Sequence, residues 1–249
     1  MLWVVLSAFK PEQELAVYPP TFLPHGWTLR NFDRGLRFGS FGLYFLNTTY
    51  VTVVSTILTV AISTMAGFGF AKYVFPGKQV LFIGILATLM FSLEILLIPM
   101  FLTLKQLGLI NSLWGIIVPP AATPTGIFLM RQYMISIPDE VIEAARIDGA
   151  GEWQIFIRVM VPLSVAVIST LTIFSFVWRW NDYIWPFLVI NSDNLQTIQL
   201  ALAKFAGQYG VSWGELLAMT SLSMLPMLVV FLVFQRRFLK GIALTGLKA

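Results

Sequence analysis

The sequence predicts an all-α membrane protein, a polytopic bundle of transmembrane helices. Of its 249 residues only 11% are charged, and the mean hydropathy is +0.81, whereas soluble domains carry about 25% charged residues. The charges also cluster, which leaves long uncharged runs between them. A helix needs roughly 20 apolar residues to cross a bilayer core about 30 Å thick. Strand spans would need about ten alternating residues each, so we assign the runs to helices.

Four uncharged runs, and a fifth whose one charge is Glu94, predict five complete spans, and the whole chain, residues 1–249, is interpreted as one transmembrane domain. The predicted spans are residues 44–71, 79–104, 112–131, 160–180 and 215–236. The N-terminal run MLWVVLSAF, residues 1–9, is apolar but too short to cross. We expect it to be the end of a first span that begins outside this sequence; an interfacial anchor is the alternative. Residues 10–40 then form a loop outside the cell.

The lysine and arginine residues predict the orientation of the spans. If the spans alternate in direction, one side receives nine of these residues, and the other receives six in longer loops, with Arg179 at a boundary. An excess of positive residues in short loops marks the cytoplasmic side. This excess of positive residues is consistent with spans that alternate in direction along the whole chain. It places both the polar segment 136–162 and the C-terminus in the cytoplasm.

The composition excludes several classes of function. There is no cysteine, which excludes disulfides and thiolate zinc sites, and there is a single histidine, His25. The sequence contains no phosphate-binding GxxxxGK[ST] loop and no convincing Ser/His/Asp set. The net charge of +4 is explained by topology signals, so no nucleic-acid partner is expected. We therefore expect a non-enzymatic chain without a cofactor of its own, whose energy source lies in a partner.

One polar segment interrupts the apolar pattern and predicts two short helices. It reads SIPDEVIEAARIDGAGEWQIFIRVMVP, residues 136–162. Pro138 suits a first helical position, Gly149 suits a C-terminal stop, and a second helix is expected over 151–160, before Pro162. Glu143 is expected beside Arg146, three residues later. Two alanines between them leave a shallow surface for a partner protein; an ordinary amphipathic surface helix is the alternative.

The spacing within this segment resembles a known motif. EAA at 143–145 is followed after three residues by Gly149 and after nine more by VMVP at 159–162. This pattern resembles the EAA loop of ABC importer permeases, which usually ends in Ile-x-Leu-Pro. WRWNDYIWPFLVI at 178–190 and FQRRFLKGIALTGLKA at 234–249 resemble the carbohydrate, maltose-type branch of these binding-protein-dependent permeases. The similarity covers almost the whole chain.

The resemblance implies the type I transmembrane domain of ABC importers, which has six spans. It implies that the EAA loop, residues 136–162, is a cytoplasmic coupling element seated in a groove of an ATPase subunit. ATP-driven closure of the ATPases would then switch the spans between inward and outward openings. We expect the coupling to be carried by Glu143, Ala144, Ala145, Asp148, Gly149 and Pro162.

Two groups of residues are candidates for the solute path. Glu94 lies inside a predicted span, where a charge is costly and suggests function; a structural hydrogen bond is the alternative. The second group combines rings with hydrogen-bonding groups that suit a sugar, although an interfacial aromatic belt would look the same. It consists of Trp180, Asn181, Asp182 and Trp185.

The basic tail is a candidate contact with the ATPase, and a membrane-surface anchor is the alternative. Its cations are Arg236, Arg237, Lys240 and Lys248. The resemblance further implies a second homologous permease subunit, two ATPase subunits that bind ATP and Mg, an extracytoplasmic solute-binding protein, and a sugar or related solute, all at a bacterial inner membrane. Two alternatives remain: a permease for a polyol, glycerol phosphate or another small solute, and an ion-coupled secondary transporter working alone.

Overall fold

The computed structural model describes residues 1–37, 40–208 and 212–246. Within these ranges there is no β-strand, so the expected all-α class is confirmed. The helices are α1 (Leu2–Ala8), α2 (Glu12–Leu15), α3 (Arg30–Arg37), α4 (Phe41–Lys72), α5 (Lys78–Thr88), α6 (Leu93–Gln106), α7 (Leu113–Ile117), α8 (Pro124–Ile135), α9 (Glu140–Ile147), α10 (Glu152–Ile155), α11 (Val161–Leu163), α12 (Val165–Trp180), α13 (Ile184–Val189), α14 (Ile198–Gln208) and α15 (Trp213–Gly246).

Three helical segments in the described residues are long and apolar enough to cross a membrane. They are Phe41–Lys72, Leu113–Ile135 and Trp213–Val233. A fourth is obtained if the bent pair Glu152–Leu163 and Val165–Trp180 is counted as one span. These segments cover four of the five predicted spans. The number of crossings itself stays a prediction.

The second predicted span, residues 79–104, is divided in the structure. Helix α5 ends at Thr88 and α6 begins at Leu93. Glu94 lies in the first turn of α6, where the positive end of the helix dipole favours a carboxylate. Its carboxylate also accepts a hydrogen bond from the Ser92 hydroxyl. The polar pair at residues 92 and 94 therefore marks a helix start within an otherwise apolar run.

Helix α4 is the central element, and it packs against α8 and α12. Its buried face is lined by small hydroxyl side chains, including Thr52, Ser55 and Thr59. A side chain at Gly67 would overlap Met130 of α8, so glycine permits the two helices to approach closely. The Thr59 hydroxyl donates to the carbonyl of Pro120 at 2.8 Å, which satisfies one carbonyl at the break between α7 and α8.

Apolar side chains form three clusters along the bundle. One surrounds Met130, Met134 and Ile155 and lies beside the EAA loop. A second surrounds Ile117 and Val189, and a third joins α1, α12 and α15. Helices α1 and α3 pack on α15, so the N-terminal residues belong to the same body as the spans. The EAA loop and the segment 178–190 thus join the bundle at different clusters.

Candidate functional site

The EAA loop begins with a short helix whose first turn is tied to the end of α4. Helix α9 starts at Glu140, so Pro138 lies before the helix rather than at its first position. The Asp139 carboxylate pairs with the Nζ of Lys72 at 2.6 Å, and the same Nζ donates to the carbonyl of Ile137. The Lys72 side chain is only 6% exposed. The ammonium group therefore joins the start of α9 to the C-terminus of α4.

Gly149 ends α9 in a left-handed turn. Its φ is +81°, a value that side chains with a Cβ rarely adopt. The Gly149 N–H donates to the Arg146 carbonyl, and the Ala150 N–H donates to the Ala145 carbonyl, each at 3.0 Å. This pair of bonds defines a Schellman motif. The predicted role of Gly149 as the stop of the first helix is thus confirmed by the geometry.

The two faces of α9 differ in chemistry. Ile142 is 4% exposed, and it lies with Ala145 in the cluster around Met134. Glu143, Ala144 and Asp148 face outward and are exposed. Within the described residues, the Glu143 and Asp148 carboxylates form no ion pair and no side-chain hydrogen bond. Glu140, at the start of α9, is likewise exposed and unpaired in the described residues, so this surface presents three unpaired acids and a small side chain.

A second set of bonds braces α9 against α10 and α4. Both carboxylate oxygens of Glu152 accept from Arg146: Oε1 from Nε at 2.9 Å and Oε2 from Nη2 at 3.3 Å. The Tyr73 hydroxyl donates to the same carboxylate. These bonds from Arg146, and then from Tyr73, lower the pKa of Glu152. Burial, and then the neighbouring Glu152 carboxylate, raise the pKa of Tyr73 to about 12. We call this group, Tyr73, Arg146 and Glu152, the brace.

After α10 the chain stays helical through Pro162, contrary to the expectation that the second helix ends before it. Residues 156–160 form a turn of π-helix, which α11 extends to Leu163. A proline inside a helix lacks an N–H and clashes with the carbonyl four residues earlier, and a π turn widens the backbone at that point. The chain then bends by 77° into α12. Pro162 itself is exposed at this bend.

Two of the three tryptophans of the aromatic segment, residues 178–190, are buried. Trp180 is 1% exposed, stacks on Phe176 with centroids 5.7 Å apart, and donates its indole N–H to the Ser223 carbonyl at 2.8 Å. Trp185 is also buried, and its indole N–H donates to the Gly115 carbonyl at 3.1 Å. Both rings connect α12 and α13 to neighbouring helices. Packing therefore accounts for both tryptophans without a solute.

The polar members of the proposed solute path are not brought together with Glu94. Asn181 is exposed, and its amide donates to the Val177 carbonyl at 2.8 Å. The Asp182 carboxylate accepts from the backbone N–H of Trp185 at 3.3 Å and so caps the turn before α13. Glu94 is exposed at the start of α6. A role for these residues in solute passage stays a prediction.

The basic tail lies largely beyond what the structure describes. Arg236, Arg237 and Lys240 fall on the C-terminal part of α15, and Lys248 lies outside the described residues. The proposed contact between this tail and an ATPase therefore stays a prediction.

The brace and the Lys72–Asp139 pair are not predicted by the sequence. Arg146 is expected beside Glu143, because residues three apart on a helix are neighbours. In the structure Arg146 bonds instead to Glu152, across the turn at Gly149, where helical spacing no longer applies. Tyr73 is 79 residues from Glu152, so no local sequence pattern indicates that their side chains meet. One local pattern could have indicated this bond: Arg146 lies three residues before the glycine stop at Gly149, and Glu152 lies three residues after it.

A family model described as "Binding-protein-dependent transport system inner membrane component" matches residues 59–243. The chain belongs to this family. The arabinooligosaccharides transport system permease of Halalkalibacterium halodurans is 33% identical over 100% of this chain and 90% of its own length. The diacetylchitobiose uptake system permease of Streptomyces coelicolor is 32% identical over 95% of this chain and 80% of its own length. The sn-glycerol-3-phosphate transport system permease of Pectobacterium atrosepticum is 31% identical over 95% and 87%.

A solved structure agrees with the assignment. The chain superposes on a chain of a bacterial ABC transporter involved in the import of the acidic polysaccharide alginate. The TM-score is 0.87 at 25% identity, and the match covers 95% of this chain and 89% of the other. The chain is therefore a membrane permease subunit of an ABC importer, which works with ATPase and binding-protein components. The interpretation as an ion-coupled transporter working alone is set aside.

Proposed function

We propose that this permease moves an oligosaccharide or a related sugar across the bacterial inner membrane. The names of several relatives support the substrate class, because they describe arabinooligosaccharide, diacetylchitobiose and lactose transport. We further propose a complex of this chain with a second, different permease, two ATPases that bind ATP and Mg, and a binding protein outside the cell. The binding and hydrolysis of ATP are assigned to the ATPases and not to this chain.

We propose that the EAA loop faces the cytoplasm and that its helix α9 docks on an ATPase. The observation that carries this proposal is the outward face of α9. Its three carboxylates, Glu140, Glu143 and Asp148, have no ion-pair partner in the described residues, and the small side chain of Ala144 leaves room for close approach. An ion pair between Lys72 and Asp139 and a hydrogen bond from Tyr73 to Glu152 hold the same loop to the end of α4. A surface that is held in place but left unpaired is suited to contact another protein.

The test is to reverse the charge at Glu143 and measure uptake and ATP hydrolysis in the same preparation. Glu143→Lys should leave the amount of permease in the membrane unchanged, because the side chain has no internal partner, and should abolish uptake that depends on ATP hydrolysis. Glu12→Lys is the control: Glu12 is an exposed acid in α2 whose carboxylate accepts one long hydrogen bond, 3.4 Å, from the Ser212 hydroxyl, and the variant should transport normally. Normal uptake by Glu143→Lys would show that this carboxylate does not couple ATP hydrolysis to uptake.

A polyol or glycerol phosphate is the second candidate for the solute. The relatives that transport sn-glycerol-3-phosphate and osmoprotective compounds favour it, at 31% and 35% identity. The two candidates are separated by adding each solute with the binding protein to the reconstituted complex. The true solute should stimulate ATP hydrolysis, and a solute of the other class should not.

A further inference from the structure

Two cations near the C-terminus of α4 have no acidic partner. Lys72 pairs with Asp139, and Arg146 pairs with Glu152. In the described part of the chain, Lys78 and Arg131 form no ion pair. Both line one open cavity of about 650 Å³ between the α4–α5 turn and α8. An anion from outside this chain could therefore bind both cations at this cavity.

Both side chains are held in position. The Arg131 Nε donates to the Phe70 carbonyl at 3.2 Å, and its guanidinium lies 4.0 Å from the ring centroid of Phe82. The Nζ of Lys78 donates to the Tyr73 carbonyl at 2.8 Å. Each bond uses only part of the donor capacity: arginine has five N–H groups and an ammonium has three. The remaining donors of two fixed cations can converge on phosphate oxygens.

Apart from Gln79, the rest of the cavity is apolar, and the cavity is open. Val74 is 98% exposed, and Val80 and Ile83 on α5 are 75% and 55% exposed. Lys78 begins α5, and Arg131 lies near the end of α8. Both ends lie at a membrane boundary in the proposed orientation, on the cytoplasmic side. Anionic headgroups attract cations at that surface, and acyl chains cover apolar side chains beneath it.

We propose that Lys78 and Arg131 bind the phosphate of an anionic phospholipid of the inner leaflet, with its acyl chains against Val80 and Ile83. The choice of leaflet rests on the proposed orientation of the permease. A soluble phosphate would use the two cations but not the exposed apolar face of α5. A lipid uses both, and it would sit next to Tyr73, one member of the brace.

The test uses the complete transporter in nanodiscs and photoactivatable lipids. A phosphatidylglycerol probe should cross-link to peptides that contain residues 74–83 or Arg131, and a phosphatidylcholine probe of the same acyl length should not. Lys78→Gln with Arg131→Gln should reduce that labelling roughly thirtyfold, since each of the two basic residues adds about 1 kcal/mol of attraction to an anionic membrane surface. Lys105→Gln removes a charge at the C-terminal end of α6 and should label as the wild type does.

Equal labelling by both lipids, or unchanged labelling of the double variant, would overturn the proposal. Full displacement by inorganic phosphate or glycerol phosphate would assign the cavity to a small anion instead, and would overturn it too. If Arg131→Gln does not accumulate, Lys78→Gln alone is tested, because its only described hydrogen bond is to one carbonyl. The readout requires neither sugar nor ATP. A transporter that labels correctly but imports no sugar would therefore contradict the proposed function and not this site.

Discussion

The EAA loop and the aromatic segment 178–190 are both motif-like in sequence, but their side chains are used in opposite ways. In the aromatic segment, Trp180 and Trp185 are buried, and each indole N–H has a carbonyl partner within the chain. In the EAA loop, Glu143 and Asp148 are exposed and have no ion-pair partner in the described residues. A motif whose polar groups are paired within the chain is explained by folding, whereas a surface that is fixed in place and left unpaired is available to a partner.

The largest expected effect is in the aromatic segment. Trp180→Ala should destabilise the permease by about 3 kcal/mol, because it removes the stack on Phe176 and the bond to the Ser223 carbonyl and leaves a cavity. Thermal unfolding of the purified complex measures this. Trp178, which is 69% exposed two residues earlier, is the control, and Trp178→Ala should leave unfolding unchanged. Equal stability of the two variants would contradict a packing role for Trp180.

The second effect concerns the turn that ends α9. Gly149→Val should strain the backbone by about 1–2 kcal/mol, because φ is +81° there. It should reduce uptake while the permease remains in the membrane. Gly151→Val is a matched control: a Cβ meets open space at both glycines, but the φ of Gly151 is −72°. If the two variants import equally well, the shape of this turn does not matter for coupling.

The smallest effect is in the brace. Glu152→Gln removes the negative charge to which Arg146 and Tyr73 both donate hydrogen bonds. Amide hydrogen exchange over residues 140–151 should therefore be faster than in the wild type at pH 7. Because bonding from Arg146 and Tyr73 lowers the pKa of Glu152 from its usual 4.5, its stabilising effect is complete above about pH 4.5. The stabilising effect is lost as the pH falls through the lowered pKa of Glu152 in the folded protein. The difference between variant and wild type should therefore persist down to pH 4.5 and vanish at still lower pH.

The result of that experiment bears directly on the comparison. Surface ion pairs usually stabilise little, so the brace is expected to hold the position of α9 more than to stabilise the fold. If Glu152→Gln changes neither exchange nor uptake, the EAA loop is held by Lys72 and Asp139 alone. The contrast with the aromatic segment would then rest on the exposed face of α9 only.

The sequence predicts the helical class, the limits of α4 to within a few residues, and the stop at Gly149, because each depends on local chemistry. It does not predict the division of the second span or the helix through Pro162. The first depends on Ser92 and Glu94 at a helix start, and the second on a π turn that no residue pattern indicated. It also misses the brace, since Tyr73 meets Glu152 only through the packing of α4 against the EAA loop.

The bend between the EAA loop and α12 has a mechanical consequence. The arm Glu152–Leu163 meets α12 at 77°, close to a right angle. Twelve helical residues extend about 18 Å at 1.5 Å per residue. The arm is therefore a lever attached to the N-terminal end of α12. A sideways push on its far end applies a torque that turns α12 about its own long axis. The packing of α12 against α4 and α15 opposes that rotation.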